Sequence, residues 1–179
     1  MIKHIYNGIN GWFNFQDIYL KMVKEHDNAH FVEIGTCFGK SSSFMGVEIL
    51  NLGKNITFDT IDTFEGSPTE LDGKQNFFKT RDVYKEAKEN LKGLPVNIIK
   101  GNSIDISKQY KNKSLDFVFI DGAHTYDAVC EDIKTWKKKI KKGGYIAGHD
   151  YDNRNVFNAV NDTLKKDCPI SVNSWLLKV

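Results

Sequence analysis

The feature that most constrains this chain is an apolar run that ends in a carboxylate, turns between two glycines and opens a helix. It reads Phe31-Val32-Glu33-Ile34-Gly35-Thr36-Cys37-Phe38-Gly39-Lys40-Ser41. A doubly wound α/β domain builds a nucleotide-sized pocket this way at the end of its first strand. The pattern recurs along the chain. Apolar runs end in an acid or small polar residue at Asp62, at Gly101-Asn102-Ser103, at Asp121 and at His149-Asp150. Such ends converge on one rim of a parallel sheet, where ligands bind.

Between these runs the apolar spacing is helical. Phe15, Ile18, Tyr19, Met22 and Val23 make one face of a helix over 14–26. Further helices are predicted over 40–52, 82–91, 103–110, 125–140 and 155–166. In the 40–52 helix Phe44, Val47 and Leu50 or Leu52 point inward and Gly53 is the stop, while Ser103 caps the 103–110 helix. Strands are predicted over 31–34, 56–61, 96–100, 115–120 and 145–147, the last after a Gly143-Gly144 turn. The segments 168–170 and 175–179 are expected to pair around Asn173.

The fold class is therefore α/β, with a doubly wound, mostly parallel, seven-stranded Rossmann-like sheet. Helices cover both faces, and a terminal strand runs antiparallel. Residues 1–179 read as one domain with an N-terminal cap over 1–28. Residues 64–81 hold Gly66, Pro68 and Gly73 without periodicity and read as a lid, as does Gly11-Trp12-Phe13.

Composition narrows the partners. A net charge of +2 is too small to argue for nucleic acid or a membrane surface. The run Lys137-Lys138-Lys139 reads as a solvated helix end. Three cysteines without a repeated spacing suggest reduced thiols and a cytoplasmic location. No apolar run approaches the roughly 20 residues of a membrane span, and the first residues lack a signal-peptide core.

The strand ends carry the chemistry. The loop after the first strand lacks G-x-G-x-x-G, which argues against a pyrophosphate cradle. Asp62 is placed to accept the hydroxyls of a ribose. Asn102 and Ser103 could meet a purine edge or cap a helix. Asp121 and His124 could be a metal ligand beside a base, or a base beside its orienting group. His149 and Asp150 complete a set of oxygen and nitrogen donors with Asp121. That set suits Mg²⁺ or another divalent cation, or shapes the pocket by hydrogen bonding alone.

FVEIGTCFGKSS, IDTFEGS, GNSID, VFIDGAHTYDAV and KKGGYIAGHDY, taken in this order, resemble class I S-adenosylmethionine-dependent methyltransferases. Among these the chain is similar to the small-molecule O-methyltransferases of the macrocin and sugar-modifying branch. The resemblance implies S-adenosyl-L-methionine as cofactor. It implies a cofactor loop of Glu33, Gly35, Thr36 and Gly39, with Ser41 or Ser42 near the methionine carboxylate. Asp62, flanked by Thr63 and Phe64, would hold the ribose, and Asn102 and Ser103 would edge the adenine. Asp121 would lie under the sulfonium and join a metal set with His149 and Asp150.

The chain departs from the family at Cys37, which replaces a glycine, and at Ala123, where some relatives carry a catalytic aspartate. His124 and His149 are then the candidate bases, with Asp152 behind them. The implied acceptor is a small polar molecule, such as a sugar or glycosylated natural product. An amine or phenol acceptor, or a non-catalytic cofactor-binding module, is the alternative. A homodimer would supply surface that 179 residues lack.

Overall fold

The computed structural model describes residues 1–67, 77–165, 168, 170–171 and 173–179. In chain order the elements are α1 (Gln16–Glu25), β1 (Ala29–Ile34), α2 (Lys40–Asn51), β2 (Ile56–Asp62), α3 (Phe77–Thr80) and α4 (Val83–Asn90). They continue with β3 (Asn97–Lys100), α5 (Ser103–Ser107), β4 (Leu115–Ile120), α6 (Tyr126–Trp136) and β5 (Ile140–Gly148). The last are α7 (Arg154–Leu164), β6 (Ile170–Ser171) and β7 (Ser174–Lys178).

The sheet order is β3-β2-β1-β4-β5-β7-β6. The first five strands are parallel, and β7 runs antiparallel to β5 with Gly148 opposite Trp175. The order steps outward from β1 to β3 on one side and through β4 and β5 on the other. Their carboxyl ends therefore share one rim, with the reversal at β1 and β4.

Alternate residues of each strand explain the two-sided core. Val32, Ile34, Val118 and Ile120 pack with Val129, Ile133 and Trp136 of α6 and Val156 and Val160 of α7. Phe31, Phe58, Phe117 and Phe119 face the other way, onto Ile18, Tyr19 and Met22 of α1 and Met45 and Ile49 of α2. One face is thus mostly aliphatic and the other rich in aromatic rings.

Several expectations are corrected. Six strands have four residues or more, and the expected seventh, β6, is a two-residue stub beside β7. Strand β5 starts at Ile140 rather than after a glycine turn. Leu115 pairs with Ile140 and Phe117 with Tyr145, so Gly143 and Gly144 lie within a bulge. A Cβ on Gly144 would stand 2.7 Å from the Asp116 carbonyl oxygen, so the bulge packs tightly against β4. Helix α6 stops at Trp136 and passes into a 3₁₀ turn over Lys137–Lys139. Asn102, not Ser103, caps α5, because its backbone is extended and its Oδ1 accepts from Ile104 N at 2.9 Å. Leu50 and Leu52 are 41% and 40% exposed, while Met45 and Ile49 fill the face expected of them. Among the described residues no helix is long and apolar enough to cross a membrane.

Candidate active site

Backbone hydrogen bonds lock the strand ends together. Gly35 N donates to Ile61 O at 2.9 Å, Asp121 N to Ile34 O at 2.8 Å, and Gly101 N to Asp62 O at 2.9 Å. His149 N donates to Ile120 O at 3.2 Å. Above this rim lies a cavity of about 970 Å³. It runs from the Gly35 loop past Asp62 and Asn102 on one side, and past Asp121, His124, His149 and Asp150 on the other. Residues 10–14 wall it from above.

Asp62 organises the centre. Its Oδ2 accepts from Cys37 N at 2.8 Å and its Oδ1 from Phe64 N at 2.7 Å. Both donors have left-handed backbones, with φ of 46° at Cys37 and 59° at Phe64. Side chains pay roughly 1–2 kcal/mol for that conformation, which persists where the surroundings impose it. The carboxylate therefore fixes the loop that carries Cys37, and a residue in place of the family's glycine is accommodated. Cys37→Gly should change stability by less than about 1 kcal/mol and leave cofactor affinity within about threefold. Denaturant unfolding and ligand titration check both.

Glu33 sits behind the loop rather than in it. It is 1% exposed and does not line the cavity. Its Oε1 accepts from Tyr19 Oη at 2.6 Å and Ser41 Oγ at 2.5 Å, and its Oε2 from Thr60 Oγ1 at 2.6 Å and from Ser42 Oγ. Burial pushes this carboxyl up, and the four hydroxyls oppose that. The result is a satisfied polar knot joining α1, β1, β2 and α2. Ser42, Gly39 and Phe64 also lie off the cavity wall. Gly35, Thr36, Ser41, Asp62, Thr63, Asn102, Ser103 and Asp121 are on it.

The reacting end holds two carboxylates and two imidazoles. His124 Nε2 is 3.0 Å from Asp150 Oδ2 and 3.7 Å from Asp121 Oδ1. The nearer oxygen lies off the N–H direction, so this buried nitrogen has no aligned hydrogen bond. His149 is held on both sides. Its Nε2 donates to Asn14 Oδ1 at 2.7 Å, and its Nδ1 is 3.2 Å from Asp150 Oδ2 and 3.6 Å from Asp121 Oδ1. Burial would push both imidazoles down, but Asp121 and Asp150 outweigh it. His124 rises to about 10 and His149 to about 9. Burial pushes Asp150 up, but the two imidazoles overcome it and hold the carboxyl well below its usual range.

The ligand atoms of Asp121, His124 and Asp150 all lie within 4.8 Å of one another. The structure thus groups His124, rather than His149, with the two acids as a candidate cation set. Asp150 has φ of 54°, and the chain beyond it is latched by Asn173, whose Oδ1 accepts from Asp152 N at 2.8 Å. Asp152 itself is exposed and off the cavity wall.

Asn14, Asp132 and Asn173 also line the wall, and the sequence reading assigned none of them a role at the site. Asp132 did carry a signal. Val129, Asp132, Ile133 and Trp136 fall at i, i+3, i+4 and i+7, which puts an acid on an apolar face. It is 5% exposed and accepts a hydrogen bond from Ser103 Oγ. Burial pushes its carboxyl up to about 6, with Ser103 opposing and Glu131 adding. The folded chain therefore holds a proton that the unfolded chain releases near pH 4. Stability from this group is largest below that pH and falls as pH rises through about 6. Asp132→Asn should thus stabilise the protein by about 1–2 kcal/mol at pH 7.5 and by little at pH 4, as chemical denaturation at the two pH values would show.

Of the expected lid over 64–81, residues 68–76 lie outside the described residues. Gly66, Ser67 and Phe78 on its flanks line the cavity. Phe77 packs on Phe38 at 4.9 Å between ring centroids, and Arg81 lies 4.3 Å above the Phe38 ring.

Residues 32–151 match the family model described as a methyltransferase domain, and the chain belongs to that family. It is 35% identical over 134 residues to an uncharacterized protein of Acanthamoeba polyphaga mimivirus. That match covers 71% of this chain and 53% of the relative, so the chain spans about half its length. Among solved structures it is similar to the O-methyltransferase NovP, with a TM-score of 0.71 at 18% identity, covering 91% of this chain and 78% of that one. It is also similar to the calicheamicin methyltransferase CalS11, with a TM-score of 0.62 at 13% identity, covering 91% and 76%.

Proposed function

We propose that this protein transfers the methyl group of S-adenosylmethionine to an oxygen of a small polar acceptor, a sugar or glycosylated natural product. One observation carries the reading. A single cavity joins a carboxylate suited to ribose hydroxyls, Asp62, to a cluster of acids and imidazoles suited to managing an acceptor proton. Its volume of about 970 Å³ accommodates a nucleoside cofactor and a second small molecule together. The sulfonium is already activated, so the protein's task is to align the acceptor and handle its proton. A TDP-rhamnose 3'-O-methyltransferase shares this fold, so the fold accommodates a sugar acceptor.

The donor set fits a divalent cation. Two carboxylates and an imidazole converge, and the His124 nitrogen lacks an aligned partner. Asp121, His124 and Asp150 would hold it, and a bound ion would supply Lewis acidity that lowers the pKa of an acceptor hydroxyl. His149 stays on Asn14 and orients Asp121 and Asp150 from below. Without a cation both imidazoles are charged at neutral pH and cannot take up the acceptor proton. Turnover without added metal should therefore rise as pH increases toward about 10, where His124 loses its proton. In the presence of Mg²⁺ the rise should move to lower pH, because ligands must shed their protons to bind a metal. Identical profiles with and without the cation would count against the assignment.

The acceptor is tested by incubating the chain with methyl-labelled cofactor and a panel of nucleotide sugars, glycosides, catechols and amines. Mass spectrometry should find the label on a sugar oxygen. Label only on nitrogen or a phenol would overturn the acceptor class. Cofactor binding without transfer to any member would point to a non-catalytic module.

A further inference from the structure

The cavity extends past Asp62 into a compartment walled by Asn102, Ser103, Ile104, Ala128 and Asp132. If Asp62 takes the ribose, a purine attached to that ribose enters this compartment. The inference that follows rests on that reading of the cofactor.

Two polar groups there are already committed. Asn102 Oδ1 faces Ile104 N at 2.9 Å and Asp105 N at 3.4 Å as the cap of α5. Ser103 Oγ donates its only hydrogen to Asp132 Oδ1. A carboxylate offers acceptors alone, and a serine hydroxyl has one hydrogen and two lone pairs. A hydroxyl whose hydrogen is held by a buried carboxylate can therefore only accept from a ligand.

We infer that Asp132 is a positioning residue that fixes the Ser103 hydroxyl as an acceptor, making the purine seat selective for a 6-amino over a 6-oxo base. Adenine places an N–H donor on its six-position, which the Ser103 lone pairs satisfy. Hypoxanthine places a carbonyl oxygen there, and two acceptors then face each other in a desolvated site. Sites built to hydrogen-bond one group reject an analogue lacking it far more strongly than apolar pockets reject a missing methylene. Asp132 is suited to the task because α6 holds it 95% buried, against Gly122 at the end of β4. A Cβ on Gly122 would stand 3.9 Å from its Oδ2.

The test titrates the full chain with S-adenosylhomocysteine and with S-inosylhomocysteine by calorimetry. The unaltered chain should prefer the adenosyl ligand by at least about tenfold. In Asp132→Leu the Ser103 hydroxyl is free to turn and donate, so the preference should fall below about threefold. In Ser103→Ala the acceptor is gone and the preference should fall likewise, which keeps the test open if the leucine variant fails to fold. A purely structural role for Asp132 would weaken both ligands equally and leave their ratio unchanged. That result, with the adenosyl ligand still bound, would overturn the inference alone. No heat with either ligand in the unaltered chain would overturn the cofactor reading with it.

Discussion

Gly35→Ala is expected to cost more than about 3 kcal/mol and to abolish cofactor binding. The backbone at Gly35 has φ of 100°, which L side chains rarely adopt. A Cβ there would lie 2.0 Å from the Asp121 carbonyl oxygen and 2.6 Å from its carbon. Both atoms belong to the backbone, so no side chain can swing aside. Relief requires β1 and β4 to part at their carboxyl ends, where Asp121 N bonds to Ile34 O. That movement would carry Asp121 out of register with His124 and Asp150. For a domain of this size the loss corresponds to a fall in melting temperature of about 10 °C. A melting temperature within about 2 °C of the unaltered chain would show that the loop is looser than its geometry implies.

Asp62→Ala is expected to weaken cofactor binding by about a hundredfold, and Asp150→Ala by only a few fold. Two effects add at Asp62. A ribose held there would lose charged hydrogen bonds, each worth about 1.5–3 kcal/mol. The N–H groups of Cys37 and Phe64 also lose the carboxylate that holds them in left-handed conformations. Asp150 faces His124 and His149, so its loss should fall on turnover and on cation affinity. Calorimetric titration of both variants with S-adenosylhomocysteine separates the roles. The opposite order of affinities would mean that the cofactor and reacting ends have been exchanged.

Much of the architecture was legible because it follows local rules. Continuous apolar runs such as Phe117–Ile120 mark strands buried on both faces, and the 3.6-residue spacing in α1 and α6 marks what packs on them. Acids at the strand ends placed Asp62, Asp121 and Asp150 on one rim once the strands were parallel. What stayed hidden depends on tertiary pairing. At the β5 bulge Gly144 sits against the Asp116 carbonyl, a contact between strands that local sequence does not encode. Leu50 or Leu52 fitted a helical stripe, but Leu50 lies on the exposed side of α2 and Leu52 falls just beyond its end.

The site shows the same division. His149 looked like a cation ligand from its place beside Asp150. Its nitrogens are engaged by Asn14, 135 residues away in sequence, and by the two acids. His124 replaces it in the candidate cation set because the turn after β4 brings its Nε2 toward Asp150 across the rim. Glu33 matched a cofactor-loop position. Its surroundings of four hydroxyls instead make it a support beneath the loop. Asp132 was readable in principle, as an acid at a core position of an amphipathic helix.

Titration of the full chain with S-adenosylhomocysteine tests the central claim most directly, run beside Asp62→Ala under the same conditions. One site per chain with micromolar affinity, lost or weakened about a hundredfold in the variant, is the expected result. No measurable binding to the unaltered chain, or equal binding to both, would contradict the placement of a methyl-donor cofactor at the end of β2.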